Sequence, residues 1–278
     1  MNTDSRYAHS PDEVARMGTQ QLLNAFVSDD LFRPGKANPL YSRADRILVF
    51  GVVPTDTGLA LPVPDEVRAE YVLQRREAGI LNIGGPGVLT ADDIRYEVGN
   101  KEAVYVGKGT RDLVFESLDT SDPAVFYVFT ALAQITHPTT LITRDLMNVV
   151  QIGDEHHSNV RTLHQCIIEG HTASANIAFG FTTVHEGSVW NTLPPHLHDR
   201  RTECYLYFDL PAGERVFHVM GLPEETRHVV LSDRSFVISP SWSLHFGAGT
   251  APYSFIWATA GENATYDDMD PVPVAGIR

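Results

Sequence analysis

Apolar and polar residues alternate along most of this chain with the two-residue period of a β-strand. The runs ADRILVFGVVP, YVLQRREAGILNIG, RYEVG, AVYVGKG, DLVFESL and AVFYVFTALA form a first series, separated by glycines, prolines and acidic turns. A second series holds TLHQCIIEG, ANIAFGFTTVHEG, NTLPPHLHDRRTECYLYFDL, RVFHVMG, TRHVVLS, RSFVISP and YSFIWATAG. Many short strands with turn residues between them predict an all-β sandwich or barrel. One stretch has another period. In SPDEVARMGTQQLLNAFV, residues 10–27, a Ser-Pro cap and acidic start precede apolar residues at helical spacing, which predicts one amphipathic helix. Residues 28–43, with Pro34, Gly35 and Pro39, read as irregular, and residues 136–160 read as a connector between the two series. The polar tail from Glu262 reads as a loop.

The two series align as weak internal repeats when Glu77 is placed on Glu203, which also brings Gly87 onto Gly213. Glu70 and Val72 then stand where the second series has His196 and His198, and Asp112 where it has His245. The expected organisation is a helical lead over residues 1–40, a metal-free β domain over 41–150 and a metal-binding β domain over 151–278.

Composition narrows the partners. The chain has 278 residues and a formal charge of −14, against the basic surface that nucleic-acid binding requires. No apolar run approaches the roughly 20 residues that span a bilayer, and no secretory signal is visible. Two cysteines, Cys166 and Cys204, do not make a disulfide framework, so a cytoplasmic protein is expected.

The chemistry concentrates in residues 191–210. His196 and His198 are two apart, so a strand points both to one face. Glu203 opens the next alternating run and shares its face with Tyr205 and Tyr207. His245, behind Pro240, arrives from a later strand. Three imidazoles and a carboxylate around one divalent ion leave positions for water or substrate. Zinc suits these donors, and Fe, Mn, Ni or Co are not excluded by them.

The spacing HxHxxxxE followed by Pro240 and His245 resembles the cupin superfamily of small jelly-roll barrels. Longer collinear segments resemble the 5-dehydro-4-deoxy-D-glucuronate isomerase family within it. They include DRILVFGVVP, RREAGILNIGG, AVYVGKG, SNVRT, WNTLPPHLHDRRTE, PEETRHVV, ISPSWSLH, FIWATAGEN and DDMD. The resemblance implies a duplicated cupin with zinc on His196, His198, Glu203 and His245, a homohexamer, and an aldose–ketose isomerisation in pectin and polyuronate breakdown. It implies conversion of the substrate to 3-deoxy-D-glycero-2,5-hexodiulosonate.

Such a reaction moves a proton between neighbouring carbons through a species with negative oxygen, and needs a base, an oxygen donor and a hold on the substrate carboxylate. Tyr205 and Glu203 are the candidates for proton handling. Arg161, Arg200 and Arg201 are the candidates for the carboxylate. His218 and His228 are further candidates for the base, and the DDMD segment, Asp267 to Asp270, for a cap on the site or an interface. Other readings of the same site are a 5-deoxy-glucuronate isomerase of inositol catabolism, a cupin dioxygenase using Fe(II), and a non-catalytic sugar-acid sensor.

Overall fold

The computed structural model describes residues 3–278, and its compact units are interleaved in sequence. The first comprises residues 30–147 and 166–178 with the N-terminal segment up to Arg6; the second comprises 7–29, 148–165 and 179–278. This differs from the expected division at residues 40 and 150. The first two residues of the expected lead lie outside the described residues.

Nine corresponding strands form the two sheets at the centre of each unit. In the first they are β1 (Lys36–Ser42), β2 (Leu48–Val53), β3 (Leu59–Ala60), β4 (Arg76–Asn82), β5 (Gly87–Ala91), β6 (Ile94–Val98), β7 (Ala103–Val106), β8 (Leu113–Ser117) and β9 (Phe126–Leu132). In the second they are β10 (Arg161–Ile167), β11 (Ala178–Val184), β12 (Trp190–Leu197), β13 (Arg201–Phe208), β14 (Val216–Leu222), β15 (Glu225–Leu231), β16 (Phe236–Ser239), β17 (Leu244–Gly249) and β18 (Tyr253–Gly261). The larger sheet of the first unit runs β1-β2-β9-β4-β7, and its smaller sheet β3-β8-β5-β6. The second unit repeats both orders strand for strand, as β10-β11-β18-β13-β16 and β12-β17-β14-β15. The larger sheets gain edge strands Asp4–Arg6 and Thr140–Ile142 in the first unit, and Asn148–Ile152 and Val27–Ser28 in the second. Asp270–Pro271 extends the smaller sheet of the second beside β12.

Burial follows from this layering. β13 and β4 are buried along their whole length, so both sequences are short of exposed polar positions. β14 and β15 alternate between buried and more exposed residues, as a sheet with one solvated face does. In the first unit the interior is apolar: Ala78 and Ile80 of β4 meet Leu89 and Phe115 of the facing sheet.

Three expectations change. The single helix is two, α1 (Pro11–Val14) and α2 (Thr19–Phe26). Ser10 and Glu13 form a capping box on the first, while Gly18 starts the second and its N–H donates to Gln21 Oε1 at 2.9 Å. A new helix start at Gly18 therefore interrupts one apolar stripe. Residues 36–42, expected to be irregular, form β1 despite Pro39, and the expected connector contributes strands Thr140–Ile142 and Asn148–Ile152. The third concerns the repeat. Strand β4 buries Ala78 and Ile80 in its unit's interior, so Glu77 faces the other way, whereas Glu203 faces inward. Glu77 is therefore not the structural counterpart of Glu203, although the two strands correspond. Its carboxylate accepts from Tyr105 Oη at 2.6 Å and from the backbone N–H groups of Ala175, Asn176 and Ile177 at 2.8, 2.7 and 3.1 Å.

Candidate metal centre

Four side chains meet between the two sheets of the second unit. His196 on β12 is paired directly with His245 on β17, so the smaller sheet presents both rings side by side. His198 follows two residues after His196 on the same face. Glu203 comes across from β13 in the larger sheet. The Nε2 atoms of His196 and His198 are 3.1 Å apart, and those of His196 and His245 3.2 Å. Glu203 Oε2 is 2.8 Å from His198 Nε2 and 3.1 Å from His245 Nε2. Lone pairs of neutral imidazoles repel at such distances unless a proton or cation lies among them. A tetrahedral ion with ligand bonds of about 2.0–2.1 Å holds its donors at similar mutual separations. The residues present therefore fit a divalent metal, and the cluster is one that could hold an ion.

The surroundings fix the rings for this task. His198 Nδ1 lies 2.8 Å from the main-chain oxygen of Asp268, an obligate acceptor, so Nδ1 carries the proton and Nε2 is left with its lone pair. Arg201 Nη2 approaches the same Nδ1 at 3.0 Å but has its better acceptor in Asp268 O at 2.7 Å. His245 Nδ1 faces Ser239 Oγ at 3.2 Å and Ser243 O at 3.3 Å. Burial, then His245, pushes His196 down to about 2, so its ring is neutral. Burial would raise Glu203, but its close contacts with His245 and His198 hold it well below the usual carboxylate range.

Around the cluster the interior is polar and aromatic. The Tyr205 hydroxyl lies 3.1 Å from Thr192 Oγ1, and burial, followed by the nearby Glu203, raises its pKa well above the ordinary value. Tyr207 Oη is 2.8 Å from His218 Nδ1, and Asn191 Nδ2 donates to Tyr253 Oη at 2.8 Å. Asn191 Oδ1, His218 Nε2 and Trp257 Nε1 are buried without a hydrogen-bond partner among the described residues. Beside this lining, pairing between β12 and β17 shifts register between Asn191 and His196.

The sequence profile described as the KduI/IolB family matches residues 50–272. The chain belongs to that family. Curated relatives agree over nearly the full length. A 4-deoxy-L-threo-5-hexosulose-uronate ketol-isomerase of Kineococcus radiotolerans is 46% identical, covering 99% of this chain and 100% of its own. The ketol-isomerase of the same name from Escherichia coli is 42% identical, again over 99% of this chain and 100% of its own. Among solved structures, an IolB-like protein from Salmonella typhimurium superposes with a TM-score of 0.65 at 14% identity, covering 81% of this chain and 86% of that one. Oxalate decarboxylase of Bacillus subtilis, described with Mn(II) centres, superposes with a TM-score of 0.56 at 10% identity, covering 81% and 71%. These likenesses concern the fold, which is the duplicated cupin expected from the sequence.

The remaining expected site residues separate clearly. Arg200 is committed to carboxylates: Nε donates to Asp268 Oδ1 at 2.7 Å and Nη2 to Asp270 Oδ2 at 2.7 Å. Arg201 is buried and donates to the main-chain oxygens of Thr265 and Asp268, both at 2.7 Å. Arg161, also buried, makes one hydrogen bond among the described residues, from Nη1 to Asn159 O at 2.7 Å. Burial lowers its pKa, and the side chains that act on it are the phenols of Tyr205, Tyr253 and Tyr266, with no carboxylate among them. His228 is exposed on β15. Sequence reasoning missed Asn191 and Thr192, whose parity is hidden by the irregular β12, and Tyr253 at the start of β18. The DDMD segment does approach the site, through the main-chain oxygen of Asp268. Cys166 and Cys204 are buried and form no disulfide, and among the described residues no helix is long and apolar enough to cross a membrane.

Proposed function

We propose that this chain is a ketol-isomerase that interconverts the aldose and ketose forms of 4-deoxy-L-threo-5-hexosulose uronate, with one divalent metal per chain on His196, His198, Glu203 and His245. The observation that carries this reading is the convergence of these four donors in a chain that shares near-full-length identity with proteins bearing that name. Zinc is the metal these donors suit. When bound, it supplies charge stabilisation for the oxygen anion that develops on the substrate.

The chain's own side chains do the rest. Arg161, buried and without an acidic partner, holds the uronate carboxylate. Tyr205, kept protonated by its raised pKa, donates its hydroxyl proton in a hydrogen bond to a substrate oxygen and so stabilises the negative charge that develops there, with Thr192 Oγ1 beside it at 3.1 Å. Glu203 thus has two duties, as a metal ligand and as the negative group beside the Tyr205 hydroxyl. Asn191 Oδ1, His218 Nε2 and Trp257 Nε1 offer the substrate hydroxyls partners in a buried setting. Arg200 and Arg201 position the tail and His198 rather than the substrate. A homohexamer and a place in polyuronate breakdown accord with the family resemblance.

The test is turnover of the purified, metal-loaded chain on 4-deoxy-L-threo-5-hexosulose uronate, with oxygen uptake followed in parallel. Product formation lost on chelation and in His245→Ala supports the reading. Oxygen consumption in place of isomerisation, or metal binding with no turnover, overturns it in favour of a dioxygenase or a sensor.

A further inference from the structure

A second chemically distinctive cavity lies in the first unit, which holds no cluster of metal donors among the described residues. Its volume is about 130 Å³, and Tyr41, Arg46, Glu66, Arg75 and Arg76 supply its polar and aromatic wall. The cavity sits where β1 ends, β4 begins and β9 ends, since Tyr41 closes β1 and Arg76 pairs with Leu132. Strand for strand, this is the end of the sheet that carries Arg201 and Glu203 in the second unit. Arg76 shares the face of Ala78 and Ile80, so it is the polar residue that the inward face of β4 presents at that end.

Arg76 is only 4% exposed, yet its guanidinium lacks a carboxylate. Its hydrogen bonds are two 3.5 Å contacts from Nη1 to Thr130 O and Oγ1, at the outer limit for such bonds, and Thr130 Oγ1 already donates to Leu48 O at 2.8 Å. The guanidinium stands 6.0 Å from the centre of the Tyr41 ring. A buried guanidinium with five donors is costly to leave this poorly satisfied. Arg46, exposed at the tip of the β1–β2 turn, has no partner among the described residues, and Arg75 uses Nη2 to hold Val67 O and Arg68 O of the covering segment. Glu66 is the acid on the wall, and its Oε1 accepts from Ser5 Oγ at 3.0 Å. Three arginines against one carboxylate leave the cavity positive.

We propose that this cavity binds the carboxylate or phosphate group of a small metabolite, with Arg76 gripping the anion from inside and Arg46 closing on it from the turn. The volume suits a ligand of about six heavy atoms, comparable with benzene in an engineered cavity of similar size. The inference is independent of the isomerase reading, because every residue in it belongs to the first unit.

The experiment is calorimetric titration of the full-length, metal-loaded chain with inorganic phosphate and, separately, with D-glycerate, which tells a free phosphate site from a carboxylate site. Saturable binding of one ion per chain is expected for at least one probe. Arg76→Met and Arg46→Ala should each weaken it by roughly tenfold or more, and His245→Ala should leave it intact. If Arg76→Met does not fold, Arg46→Ala, a surface change, carries the test alone. Absence of saturable binding to either probe, binding unaffected by Arg46→Ala, or binding abolished by His245→Ala would each overturn the proposal.

Discussion

His198 donates from Nδ1 to the main-chain oxygen of Asp268 at 2.8 Å, so a residue in the polar tail sets which nitrogen of the ring faces the cluster. The tail is itself held by Arg200, bonded to the side chains of Asp268 and Asp270, and these bonds lower Asp268 to about 2. Removing that clamp loosens the orienting carbonyl without touching a metal donor. Arg200→Ala should therefore weaken metal affinity by about tenfold or more. Chelator competition would measure it, with activity restored by excess metal. Affinity equal to the native chain's would mean that the tail carbonyl does not orient His198.

Arg161 differs from Arg200, which two aspartates satisfy, and from Arg201, which two main-chain oxygens at 2.7 Å hold, in having a single hydrogen bond among the described residues. Arg161→Met should raise KM for the uronate by about one to two orders of magnitude, the loss of one charge-assisted pair. Metal content should stay at the native level. Steady-state kinetics beside elemental analysis would distinguish this from a variant that has merely lost its metal.

Tyr205→Phe removes a hydroxyl that lies 3.1 Å from Thr192 Oγ1 and leaves the ring packed against His245, whose centroid is 5.5 Å away. The expected result is a fall in kcat of about 10²–10⁴ with metal affinity and KM little changed. A kcat within a few-fold of native would assign Tyr205 to filling the interior alone.

Glu77 shows why a repeat is easier to see in sequence than to place in space. A gapless alignment sets it on Glu203, yet a one-residue offset in a strand reverses the face, and Glu77 receives three backbone N–H groups and a tyrosine hydroxyl instead. Glu77→Gln keeps the shape but turns a donor toward those donors. It should lower stability by about 2–4 kcal/mol and leave metal stoichiometry unchanged. Denaturant unfolding with a metal assay checks both.

The same distinction separates what the sequence reveals from what it hides. Local periodicity exposes the strands, and the i, i+2 spacing of His196 and His198 with the inward parity of Glu203 and Tyr205 exposes the cluster, because each depends on neighbours in sequence. The carbonyl of Asp268, the Asn191–Tyr253 bond and the commitment of Arg200 to two aspartates join residues more than 60 positions apart. No local pattern encodes them. The break between α1 and α2 is local, but Gly18 within a continuous apolar stripe reads as a tolerated helix glycine until Gln21 is seen to cap it.

His218 supplies a pH signature that does not depend on the metal donors titrating. It is buried against Tyr205 and Tyr207, and burial, then the nearby His245, pushes it down to about 3 from an ordinary 6.5. Between those values the unfolded chain takes up a proton that the fold refuses. The stability His218 contributes is therefore fully present above pH 6.5 and is lost progressively as pH falls toward 3. His218→Gln removes that one proton from the balance. Unfolding free energies measured across the acid limb should then show a pH slope shallower by about 1.4 kcal/mol per pH unit, whatever the variant's absolute stability. An unchanged slope would mean that the folded protein admits the proton, and that Tyr207 and His218 share it within the interior.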